Sequence, residues 1–175
     1  MEIQLTAEEK QIILEEAHRR QHVNELRGLS GRNGGPAFGD TALKYHKLGC
    51  AGEMAVASYL GMKEFLFKDK KPIRGSCDLP FAIDVKTRTR EWHDLIVQKD
   101  DSPGKNYWLV IIEHRRIFLK GWIYGHEAFK DKYIKDPAGG RSAYFVPQGV
   151  LRKPECFYAH FEQTELNTCV PMLTF

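Results

Sequence analysis

The segment from Cys77 to Arg90 reads Cys-Asp-Leu-Pro-Phe-Ala-Ile-Asp-Val-Lys-Thr-Arg-Thr-Arg, and from Phe81 onward it alternates. Phe81, Ile83, Val85 and Thr87 fall on one side, and Asp84, Lys86, Arg88 and Arg90 on the other. That is the pattern of a half-buried β-strand. Side chains two apart on a strand share a face at a spacing of about 7 Å. The strand therefore lines a carboxylate, an ammonium and two guanidiniums along one polar face. A solvated strand face would carry the same residues, with the acid in an ordinary surface ion pair worth less than about 1 kcal/mol.

Asp78 adds a constraint. On a straight chain it would lie roughly 20 Å from Asp84. If Pro80, Phe81 and Ala82 form a three-residue hairpin loop, Leu79 pairs with Ile83, and Asp78 stands opposite Asp84 with Cβ atoms about 5 Å apart. Two carboxylates at that distance repel by roughly 3 kcal/mol at an effective dielectric of 20. A divalent cation, a shared proton or a neighbouring Lys or Arg would compensate. The loop lacks the glycine that such hairpins favour at the left-handed position, and a two-residue loop would put the acids on opposite faces.

Around this strand the chain alternates helical and extended patterns. Thr6-Ala-Glu-Glu9 has capping-box form and predicts a helix to about Arg27. Its thin apolar stripe fits an exposed arm or an oligomer contact. His18 and His22 share a helical face, although the sequence offers them no third metal ligand. Gly31 to Pro36 reads as a hinge, so residues 1–36 form a helical arm and hinge and residues 37–175 the main domain. A second helix begins at Asp40 or Thr41 and ends at Leu60, before Gly61. It carries Glu53 on a face of small and apolar residues, where an acid is either solvated at the end of the face or aimed into a site.

Phe65 to Lys68 predicts a short strand, and Lys68 to Gly75 a basic connection containing Lys70, Lys71 and Arg74. Asp94–Gln98, Tyr107–Glu113, Ile117–Tyr124 and Tyr144–Val146 predict further strands, with a short helix from His126 to about Tyr133. The run Trp108 to Ile112 is continuously apolar, as a strand buried on both faces would be. It is too short to cross a membrane.

The chain of 175 residues has 26 Lys and Arg against 23 Asp and Glu, a net charge of +3 that permits nucleic-acid binding without demanding it. Its four cysteines show no zinc spacing, and without a signal peptide they read as reduced thiols in a cytoplasmic protein.

In this order of helix, hairpin, polar strand and further strands, the chain resembles the PD-(D/E)XK nuclease superfamily. Glu53 matches the acid on the first core helix, Asp78 the motif aspartate, Asp84 the second acid and Lys86 the lysine; Cys77 stands where the motif has proline. More closely, it is similar to small proteins of that type encoded in phage genomes, through Gly52-Glu53-Met-Ala-Val-Ala57, Asp78-Leu79-Pro80, Val85-Lys86-Thr87, Gly121-Trp122-Ile123 and Tyr144-Phe-Val-Pro147. The resemblance implies an α/β fold with a restriction-endonuclease-like core, a central mixed β-sheet flanked by helices. It also implies a Mg²⁺- or Mn²⁺-dependent nuclease acting on DNA, with RNA as the other possible substrate, in the cytoplasm, the host's if the chain is phage-encoded.

Under that reading Glu53, Asp78, Asp84 and the Val85 carbonyl hold the metal, and Lys86 positions or deprotonates the attacking water. Arg88, Arg90, Lys70, Lys71 and Arg74 hold flanking phosphates. Trp92 and His93 could stack on a splayed base, with core packing the alternative for the tryptophan. A homodimer would suit the cutting of two strands. The competing reading is a module on the same fold that binds nucleic acid or protein without cutting.

Overall fold

The computed structural model describes residues 1–28, 39–67, 76–137 and 139–159. The predicted hinge, the C-terminal tail beyond residue 159 and the basic residues Lys70, Lys71 and Arg74 lie outside them.

Helix α1 spans Ala7–Leu26 and begins with the capping box read from sequence: the Thr6 hydroxyl accepts from the Glu9 amide, and the Glu9 carboxylate accepts from the Thr6 amide. Helix α2 spans Gly39–Leu60 and ends at Gly61, whose φ of +66° is the left-handed turn that glycine adopts without penalty. The two helices pack on each other. Helix α1 is therefore no free arm. Its inner face buries Glu9, Ile13, Glu16 and Ala17, and half of these are charged, which is why the apolar stripe looks thin. The acids are satisfied internally: Glu9 accepts from Ser58 Oγ at 2.6 Å and Lys63 Nζ at 3.1 Å.

Among the described residues the strands form two sheets. The first is mixed, in the order β1 (Glu2–Ile3), β5 (Arg116–Tyr124), β4 (Asn106–Glu113), β2 (Ile83–Arg88), with β2 parallel to β4 and the other pairs antiparallel. The second is antiparallel, in the order β3 (Leu95–Gln98), β7 (Ala143–Val146), β6 (Ile134–Lys135). Helix α3 is a single turn, Gly125–Ala128, followed by a 3-10 turn over Asp131–Tyr133 where the sequence predicts one continuous helix. The strand expected at Phe65 to Lys68 is instead a 3-10 turn over Lys63–Phe65, after which Phe67 takes a left-handed φ of 56° that no strand accommodates.

Strand β4 runs through the middle, as its continuous apolar run requires. Trp108 and Val110 pack with α1 and α2 in one core cluster. Tyr107, Leu109 and Ile111 point the other way, into a second cluster with Leu95, Val97 and Val146 of the smaller sheet. The molecule is thus an α/β structure of three layers, helices over the mixed sheet over the small sheet, and β2 forms an edge of the middle layer. No helix among the described residues is long and apolar enough to cross a membrane.

Candidate active site

Strand β2 and the hairpin that feeds it position the residues of interest. Leu79 pairs with Ile83 in an antiparallel bridge, so the loop is the three-residue Pro80-Phe81-Ala82. Phe81 and Ala82 both adopt left-handed φ, 56° and 53°, which costs non-glycine residues of order 1 kcal/mol or more each. Asn106 holds the strained loop from β4: its Nδ2 donates to the Phe81 carbonyl at 2.7 Å and its amide to the Ala82 carbonyl at 2.9 Å.

Beyond Leu79 the pairing departs from the simple register. The amides of Leu79 and Asp78 both donate to the Ile83 carbonyl, as at a bulge, so Asp78 faces Ile83 where Asp84 was expected. Its carboxylate instead reaches along the strand and accepts the Val85 amide at 2.7 Å. A strand residue's N–H and C=O point to the same side. The Asp78 carboxylate and the Val85 carbonyl therefore share the side of β2 that faces away from β4.

The two faces of β2 are chemically distinct. Ile83 is buried under the helices, Val85 packs against the same cluster, and Thr87 lies so close to α2 that a Cβ on Gly52 would stand 2.0 Å from its Oγ1. That contact explains the glycine at position 52 of the helix. On the opposite face Asp84 and Lys86 join two residues that the strand pattern does not contain. Asp84 Oδ1 lies 2.8 Å from Lys86 Nζ and Asp84 Oδ2 lies 2.7 Å from Lys105 Nζ. Lys86 Nζ also reaches Asp101 Oδ2 at 2.9 Å and sits 5.3 Å from the centre of the Tyr107 ring. Lys105 donates further to the Ser76 carbonyl at 2.9 Å.

The result is an alternating chain, Lys105, Asp84, Lys86, Asp101, largely withdrawn from water. Burial is the largest influence on the Lys86 ammonium and disfavours its charge. Asp84 and then Asp101 outweigh burial and hold its pKa above the ordinary lysine value. Lys86 is consequently a cation at neutral pH. It can orient and neutralise an anionic oxygen.

Glu53 is 6% exposed, so it is aimed inward rather than solvated. Its partner is Arg20, whose Nη1 and Nη2 each lie 2.7 Å from a Glu53 oxygen while Nε donates to Glu16 at 2.8 Å. Arg20 and Asp78 border one cavity of about 320 Å³ between α1, α2 and the hairpin. Among the described residues no group of three or more His, Cys, Asp or Glu side chains stands together as a metal cage. The structure thus brings Asp84 to Lys86 and Asp78 to the Val85 backbone, and it ties Glu53 to Arg20. His18 and His22 are both exposed.

Arg90 is a surface residue 3.3 Å from Glu113, and its guanidinium lies 6.0 Å from the Trp92 ring centre. Arg88 is half-buried at the far end of the strand. Asp101 and Lys105 escaped the sequence reading, and Arg20, which with Arg19 and Arg27 could be read only as a phosphate contact on a solvated face, is instead the partner of Glu53. For Lys105 the missing signal was the parallel register that sets Asn106 beside Ile83; for Arg20 it was the pairing of α1 with α2.

Comparison of the chain with protein-family models, with curated proteins and with solved structures finds no match. The site therefore stands on its own chemistry.

Proposed function

We propose that the protein is a metal-dependent nuclease with a PD-(D/E)XK, restriction-endonuclease-like site on the edge strand β2. The observation that carries this reading is the Asp78 carboxylate fastened to the Val85 amide, between the two strand residues Asp84 and Lys86. Two carboxylates and a backbone carbonyl are hard oxygen donors, and Mg²⁺ commonly takes only one or two carboxylates and keeps waters. Asp78, Asp84 and the Val85 carbonyl are donors of that kind and would hold Mg²⁺ or Mn²⁺, while Glu53 on α2 is engaged by Arg20. When bound, such an ion supplies Lewis-acid charge and an acidified water.

The chain's own residues do the rest. Lys86, held cationic, offsets the negative charge that builds on a phosphodiester under attack. Asp84 keeps Lys86 and Lys105 in place, and Tyr107 walls the ammonium from solvent. Arg88 and Arg90 would hold flanking phosphates of DNA, or of RNA. A cytoplasmic setting, the host's for a phage-encoded chain, and a homodimer for two-strand cutting belong to the same proposal.

A second reading, a nucleic-acid- or protein-binding module that does not cut, is favoured by one feature: both oxygens of Asp84 and of Glu53 are already paired with internal cations. Calorimetric titration with Mn²⁺ separates the two. The nuclease reading expects binding that disappears in Asp84→Ala; a module indifferent to metal gives no heat in either protein.

A further inference from the structure

At the end of β2 away from the hairpin, a cavity of about 270 Å³ opens between α2 and the turn leading to β3. Tyr45, Thr87, Arg88 and His93 are among the residues that line it. Three buried polar atoms among those residues, Thr87 Oγ1, Arg88 Nε and His93 Nδ1, have no hydrogen-bond partner among the described residues. Among the described residues, half of the buried side-chain atoms without a partner thus belong to the residues around this one cavity. Buried polar atoms are ordinarily hydrogen-bonded, and a cluster of them beside a cavity is completed there by water or by a polar ligand.

The strongest of these groups is Arg88. Its guanidinium has no ion pair among the described residues, and burial, the larger influence, lowers its pKa despite the nearby charge of Asp94. A half-buried cation left in that state is a seat for an anion. A phosphate oxygen matches both the charge and the acceptor chemistry that the Arg88 guanidinium leaves unmet.

The surroundings specify what carries the phosphate. Tyr45, beside the cavity, is 58% exposed, and Trp92, next to His93, is 73% exposed. Core packing does not account for Trp92. Its ring instead stands in water with the Arg90 guanidinium 6.0 Å from its centre. Exposed aromatic faces flanked by cations take the faces of nucleobases, and only unpaired bases present them.

We propose that this cavity seats one backbone phosphate of a single-stranded nucleic acid, with Arg88 as the anion ligand and Trp92 and Tyr45 as stacking platforms for the adjoining unpaired bases. The inference rests on the nucleic-acid reading of the neighbouring site and narrows its substrate to single strands or splayed ends.

The test is fluorescence anisotropy in EDTA, so that binding is measured without any cutting. The probes are a short single-stranded DNA, its RNA equivalent, the same DNA as duplex, and inorganic phosphate as competitor. The single strand should bind at least about tenfold more tightly than the duplex and should quench tryptophan emission. Trp92→Ala, an exposed substitution that leaves the core alone, should weaken binding about tenfold and remove the quench. Arg88→Gln should lower the salt slope of binding by about 0.7, the value for one phosphate contact on a single strand, without lowering the melting temperature.

Equal affinity for duplex and single strand, a quench that survives Trp92→Ala, or a salt slope unchanged in Arg88→Gln would each overturn the proposal. Displacement of the strand by equimolar inorganic phosphate would do so too, by showing a site for the free anion. Single-strand binding without metal-dependent cleavage would sink the nuclease reading and keep this one; cleavage without a single-strand preference would do the reverse.

Discussion

Lys105 Nζ lies 2.7 Å from Asp84 Oδ2, and both side chains are close to a tenth exposed or less. With Lys86 on the other carboxylate oxygen, Asp84 has two ammonium groups where a nuclease would place a divalent ion. Lys105→Met removes one partner of a buried pair and should destabilise the metal-free protein by about 3 kcal/mol. Mn²⁺ should then raise the melting temperature more in the variant than in the wild type, because the vacated side of Asp84 is open to it. Thermal denaturation with and without Mn²⁺ checks this. A variant whose melting temperature ignores the metal contradicts it.

Asp78 has two separable roles, a hydrogen-bond acceptor for the Val85 amide and a negative charge at the sheet edge. Asp78→Asn keeps an acceptor and should change stability by less than about 1 kcal/mol, whereas Asp78→Ala leaves the amide unpaired and should cost about 1–3 kcal/mol. Urea denaturation measures the difference. Both variants should lose Mn²⁺ binding, since both lose the charge.

The hairpin loop stores strain at Ala82, with φ of 53°. Ala82→Gly removes the Cβ that makes this conformation unfavourable and should stabilise the fold by about 1 kcal/mol. A loss of stability in denaturant titration would mean that the loop takes another turn in solution.

Acid sensitivity should come partly from Glu9. Burial raises its pKa, but hydrogen bonds from Ser58, the Thr6 amide and Lys63 prevail and bring it down from 4.5 to about 2. A depressed carboxylate pKa contributes stability that is complete above about pH 4.5 and is lost as the pH falls through about 2. The contribution is about 1–2 kcal/mol once screening of the half-exposed Lys63 is allowed for. Glu9→Gln should flatten the stability profile over that window, measured by denaturant midpoints at each pH.

The legible and illegible parts of the chain divide along physical lines. The alternation from Phe81 to Arg90 announced β2, and a loop length of three residues set the Leu79 to Ile83 pairing, because both depend on local geometry alone. The bulge at Asp78 was not legible, since it arises from two amides competing for one Ile83 carbonyl. Nor was the packing of α1, whose inner face is built from Glu9 and Glu16 as well as Ile13 and Ala17. Hydrophobic periodicity does not register a buried face whose acids are paired within the fold, Glu9 with Ser58 and Lys63 and Glu16 with Arg19 and Arg20. Lys105 and Asp101 lie in and beside the turn before β4, and only the parallel pairing of β2 with β4 brings them to Asp84 and Lys86. The division of the strands into two sheets also follows from long-range pairing, Leu95 with Val146, that neither segment announces.

The central claim is tested most directly by cleavage of supercoiled plasmid and of a branched oligonucleotide carrying single-stranded arms, in Mg²⁺, Mn²⁺ or EDTA, by the wild type, Asp84→Asn and Lys86→Ala. The expected result is metal-dependent cutting by the wild type, absent in EDTA and reduced at least about a hundredfold in each variant, the order of loss seen when one electrostatic contributor to a transition state is removed. A folded wild type that cuts neither substrate in either metal, or variants that cut as well as it does, would contradict the assignment of the site to Asp78, Asp84 and Lys86.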